Sequence, residues 1–189
     1  MDKNTLKIAL LFGIAAGVAC FLYLIILYAF GANPFGRYKY IYLGLYAAFF
    51  GGALWFYRYK QTKETLSTGR AIGIGLLLNS FACLLYCFLL YVWMLMPSYG
   101  VIQRHQGDLE ELQRNNIAFI EKQMEASQKM EDLEAYENLA KQKKDIETTL
   151  ESLKEKPLTA GVLAVDQTMG LLIAGVFLTF LTSLIFKSR

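Results

Sequence analysis

The stretch "AIGIGLLLNSFACLLYCFLLYVWMLM" fills residues 71 to 96 without one charged side chain. As a helix rising about 1.5 Å per residue it is longer than the roughly 30 Å of hydrocarbon in a bilayer. Arg70 stands before it and Pro97 after it. It therefore reads as a membrane-spanning helix, and it sets the terms for the rest of the chain.

Three further charge-free windows pass the same length test: Ile8 to Phe30, Tyr40 to Tyr57 and Gln167 to Phe186. With 55% hydrophobic residues the chain exceeds the roughly 45 to 50% usual for soluble domains. The first window has 23 residues, against about 7 to 15 in the core of a signal peptide, so a retained anchor is expected. The predicted fold class is all-α, an integral membrane four-helix bundle with a long extramembrane helical hairpin between the third and fourth spans. Residues 1–96 form spans one to three, 97–161 the charged helical segment, and 162–189 the fourth span with a basic end.

Positive charges orient the bundle. Lys3, Lys7, Arg58, Lys60, Lys63, Arg70, Lys187 and Arg189 fall on the side of both termini, and only Arg37 and Lys39 occupy the short opposite loop. The positive-inside rule places both termini in the cytoplasm of a bacterial inner membrane. Aromatic residues suit the same placement, with Tyr28, Tyr38, Tyr40, Tyr91 and Trp93 at the outer interface and Trp55, Tyr57 and Tyr59 at the inner one.

Asn79 and Ser80 interrupt the opening stretch. Asn79 lies roughly 12 Å into the span, so its amide is expected to bond another helix, the first or the fourth. Gly13 with Gly17, and Gly69 with Gly73, have the small-xxx-small spacing that lets helix backbones approach. Asp166, just ahead of the fourth window, reads as a helix cap or as an ion or proton site.

Catalytic patterns are missing from the sequence. His105 is the single histidine and reads as an exposed residue outside the spans, and neither HExxH nor a phosphate-cradling GxxxxGKS occurs. Cys20, Cys83 and Cys87 all lie inside spans as small apolar fillers. No enzyme activity, cofactor, metal or nucleic-acid partner is expected.

From Asp108 to Lys156 there are 49 residues without glycine or proline. A straight helix of that length would reach roughly 74 Å, so it must fold back, with a break expected at Ala126 to Lys129 or near Asn115 and Asn116. Ile117, Ile120 and Met124 on one arm, and Leu139, Ile146, Leu150 and Leu153 on the other, supply a narrow apolar seam of coiled-coil type. So thin a seam can hardly offset ordering costs of about 1 to 2 kcal/mol per residue. Lipid, a second copy or another protein must cover it. Residues 97–161 carry nine basic against thirteen acidic side chains, which favours a protein partner over anionic head groups.

Four spans, the Leu66-Ser67 turn entering "TGRAIGIGLLLNSFACLLY", the charged insertion and the basic end together resemble the bacterial membrane family catalogued as domain of unknown function 4199. That resemblance implies the architecture and no activity. The expected role is a small non-enzymatic membrane protein acting in interaction or assembly. The alternatives are an oligomeric transporter or ion-coupled component using Asp166 and Asn79, and a subunit of a larger membrane enzyme.

Overall fold

The computed structural model describes residues 3–62, 66–96, 99–129, 132–156 and 158–186. Lys63, Pro97, Lys187 and Arg189, used above, lie outside them. The helices are α1 (Lys3–Ala29), α2 (Tyr42–Phe56), α3 (Thr68–Leu95), α4 (Val101–Lys129), α5 (Leu133–Glu155) and α6 (Ala160–Ile185). There is no strand among the described residues, and the chain divides into two compact units, residues 1–97 with 160–189, and residues 98–159.

The first unit is a four-helix bundle in which α3 packs on α1 and α6, and α2 closes the ring by packing on α1 and α6. All four segments are long and apolar enough to cross a membrane, which makes this a multi-pass membrane protein. Large side chains point outward on every side, among them Leu11, Leu84, Phe88, Phe177 and Leu184, each more than 60% exposed. Water would penalise so extensive an apolar coat, whereas lipid accepts it.

Local chemistry explains where the helices begin and end. Ser67 caps α3 by accepting from the backbone N–H of Arg70 at 3.4 Å, while Leu66 beside it is buried. Helix α2 has 15 residues, about 22 Å of α-helix, short of the hydrocarbon thickness. A 3₁₀ turn at Arg37–Ile41 lengthens it on one side and a π-helical segment at Tyr57–Thr62 on the other. In that segment the Arg58 guanidinium donates to the Phe186 carbonyl at 3.2 Å, satisfying an end group of α6 where a cation also suits the helix dipole.

The fourth span starts earlier than the charge-free window suggests. Helix α6 begins at Ala160, so Asp166 lies nearly two turns inside it and is not its cap. The apolar sequence "AGVLAV" carries the helix backbone through a position at which only the side chain is charged.

Two belt residues also depart from expectation. Trp93 is buried, with Tyr28 edge-on at 5.5 Å and Phe21 at 5.8 Å between ring centroids. Tyr57 is buried as well.

The second unit is an antiparallel hairpin of α4 and α5. Gln106 donates to the Leu153 carbonyl at 3.4 Å, and Lys143 meets Glu121 at 2.7 Å, so positions rising along one helix face positions falling along the other. Helix α4 passes unbroken through Asn115 and Asn116 and ends at Lys129. Helix α5 begins behind Asp132, whose carboxylate accepts from the Ala135 N–H at 3.0 Å. Because α4 starts at Val101, His105 falls inside a helix and is buried, in contrast to the exposed position expected.

Candidate functional site

Asn79 is where three helices meet. Its side chain is 4% exposed, and its Oδ1 accepts from the Tyr46 hydroxyl of α2 at 2.6 Å. Its Nδ2 donates to the Leu172 carbonyl of α6 at 3.1 Å, and the Cys83 thiol, one turn on, adds a contact to Oδ1 at 3.4 Å. The amide thus ties α3 to the second and fourth spans, not to the first. Both of its polar atoms are engaged, and each interhelical bond of this kind contributes about 0.6 to 2 kcal/mol.

Glycines make the approach possible. A Cβ on Gly175 would strike the Asn79 amide, and one on Gly75 would come within 2.7 Å of Thr179. Along antiparallel α3 and α6 the two glycines alternate, each facing the polar side chain of the other helix. The Thr179 hydroxyl returns its own proton to the Gly175 carbonyl at 2.8 Å, so this donor is not stranded in the apolar layer.

Gly13 and Gly17 hold α1 against α3, since a Cβ on either would fall 2.8 Å from a carbonyl, of Leu78 and Ala82 respectively. Gly69 and Gly73 do not take part: nothing stands within 4 Å of where their Cβ atoms would be. Ser80 is exposed and donates to the Leu76 carbonyl of its own helix at 2.9 Å. Its hydroxyl is satisfied locally and links nothing. It lines, with Cys83, Leu84, Cys87, Thr168 and Leu172, an outward-facing groove of about 370 Å³ between α3 and α6.

Removing the Asn79 amide leaves a buried tyrosine hydroxyl without its acceptor. Asn79→Ala is expected to lower bundle stability by about 1 to 3 kcal/mol, and Tyr46→Phe to cost less in that background than in the wild type. Equilibrium unfolding of the four proteins of this cycle in mixed detergent measures the coupling. Strict additivity would show that the bond carries no energy.

Asp166 belongs to a different cluster. Gln167 donates to its Oδ2 at 3.0 Å and accepts from Lys39 Nζ at 2.8 Å, so a lysine of the short loop is tied to α6 through a buried glutamine beside an exposed carboxylate. Asp166 precedes Leu172 by six residues, about 9 Å along α6. Asn79 and Asp166 are not brought together. Among the described residues no three His, Cys, Asp or Glu side chains are grouped to hold a metal ion.

In the hairpin Leu139, Ile146, Leu150 and Leu153 are all half-buried, on the α5 face that also carries Lys143 toward Glu121. They lie on the face turned toward α4, and each keeps part of its surface exposed. No residue of α5 is fully buried, and on α4 the facing Ile120 and Ser127 are. At the far end Ser127, Gln128, Asp132, Leu133 and Tyr136 surround a hollow of about 480 Å³.

Sequence reasoning missed Tyr46, Gly175 and the Lys39–Gln167 tie. Gly175 and Thr179 do have the small-xxx-small spacing in "GVFLT", and a tyrosine in mid-span, away from either interface, is itself a signal of a buried hydrogen bond. No curated protein and no solved structure matches the chain. A family model matches residues 11–188, spanning all four apolar segments and the hairpin, and the chain belongs to the family described as protein of unknown function (DUF4199).

Proposed function

We propose that this is a non-enzymatic membrane protein whose four-helix bundle anchors the α4–α5 hairpin outside the cytoplasm of a bacterial inner membrane as an interaction or assembly module. Both termini are cytoplasmic in this reading. The observation that carries it is the contrast between the two units. The bundle has an interior of fully buried side chains and a polar lock whose groups are satisfied, while the hairpin's second helix buries none of its residues completely. A helix pair held by so little apolar contact gains order when something binds it.

Charge supports a protein as that partner, because the segment bears thirteen acidic and nine basic side chains and is ill matched to anionic head groups. Transport through Asn79 would require its amide to release Tyr46 and Leu172 first, at the cost of the bonds that join three helices.

Replacing residues 108–156 by a short Gly/Ser linker tests the reading. The bundle should still insert, and the proteins that stay with the full-length chain through gentle detergent extraction, or its self-association, should be lost. Complexes that survive the deletion intact would contradict it.

A further inference from the structure

We propose that the hairpin binds a second copy of this chain through an exposed heptad stripe on α4, formed by Leu112, Asn116, Phe119, Gln123 and Ala126. The inference rests on reading the hairpin as an assembly module. All five side chains are exposed, Leu112 at 53% and Phe119 at 61%. Their intervals of four, three, four and three residues are those of a coiled-coil seam.

The stripe is distinct from the hairpin's own seam. Each member precedes by one residue a half-buried or buried position of that seam, namely Gln113, Ile117, Ile120, Met124 and Ser127. One residue is about 100° around a helix, so α4 carries two parallel heptad stripes and α5 covers one of them. Helix α5 has no such second stripe, since Leu133 is its single large apolar residue that is strongly exposed.

Composition identifies the occupant. A second copy brings the same excess of acidic charge, so two hairpins meet with least repulsion where the surface is uncharged. From Leu112 to Ala126 the stripe contains no charge in a helix otherwise dense with it. A basic partner would instead be met by carboxylates along the contact. Asn116 and Gln123 each offer both donors and acceptors, so each can pair with an amide of an identical chain. A polar residue at a heptad core position fixes register and strand number, and an isologous contact needs that self-complementarity.

Single cysteines at Leu112, Asn116, Phe119 and Gln123 in the full-length chain, in native membranes under mild oxidation, test the contact. Parallel twofold pairing brings each position next to its own counterpart, and for antiparallel pairing two co-expressed single-cysteine chains, Asn116→Cys with Phe119→Cys or Leu112→Cys with Gln123→Cys, supply the facing partners. The expected result is a disulfide-linked dimer at one or more of them, and none above the wild-type level with Glu125→Cys, which is exposed on the opposite side of α4. Phe119→Glu added to a linking variant should abolish the dimer. The wild type serves as blank because Cys20 and Cys83 are buried and Cys87 is half-buried. If every stripe cysteine stays monomeric while deletion of residues 108–156 still releases a different protein, the second-copy contact is wrong and the assembly reading stands. If the deletion releases nothing and no cysteine links, both fall.

Discussion

Gly175→Leu should cost the bundle about 1 to 4 kcal/mol and leave little of it folded in harsh detergent. The new side chain must enter a space that the Asn79 amide fills, since even a Cβ at Gly175 would strike Oδ1 and Cγ of Asn79. Either α3 and α6 separate, or the asparagine swings away and leaves Tyr46 and Leu172 without their partner. The first outcome is overpacking, at about 1 to 3 kcal/mol. The second forfeits interhelical bonds of about 0.6 to 2 kcal/mol each.

Gly170→Leu, one and a half turns earlier on α6, is the matched comparison. That glycine is exposed and has open space at its Cβ position, so its replacement should not destabilise the bundle and gains up to about 1 kcal/mol of helix propensity. Detergent-titrated or thermal unfolding of the two variants reads the difference directly. Equal stabilities would mean that the contact between α3 and α6 is not the close one described. Asn79→Ala should restore part of the Gly175→Leu loss by making room, a coupling that general damage to the helix would not produce.

The features of the bundle that were legible in the sequence are those set by length and charge. A charge-free run either spans the hydrocarbon or does not, and four runs did, so the number and order of spans could be read without knowing any contact. Their ends were less legible. The fourth charge-free window stops at Gln167 beside the charged Asp166, while α6 continues seven residues further toward the N-terminus. In the hairpin the turn could have been placed from Asp132, a good N-cap residue ahead of the periodic run "LEAYENL". Apolar spacing by itself is compatible with a break at Ala126 to Lys129 or at the paired asparagines.

Partner identity was the least legible property. Depth alone indicated that Asn79 must face a helix, but its direction depends on the rotation of α3 in the bundle, which a helix apolar on all sides does not disclose. The same ambiguity separates Gly13 and Gly17, which meet α3, from Gly69 and Gly73, which meet nothing. Spacing shows that two backbones could approach, and packing decides whether they do. The second stripe on α4 was hidden for a related reason. Asn116, Gln123 and Ala126 are not large apolar residues, so a search for hydrophobic periodicity passes over them, and the stripe emerges only once the hairpin's own seam is known and can be set aside.

Labelling from the two sides of the membrane tests most directly whether a bundle in lipid presents the hairpin outside the cytoplasm. Glu125→Cys on α4 and Gly69→Cys at the start of α3 are both exposed positions, and the wild type supplies the background from Cys20, Cys83 and Cys87. A membrane-impermeant maleimide added to intact spheroplasts should modify the cysteine at position 125 fully and the one at position 69 only after lysis. Modification of position 69 in intact spheroplasts with position 125 protected would invert the topology. Equal labelling of both before lysis would contradict the membrane-anchored account itself.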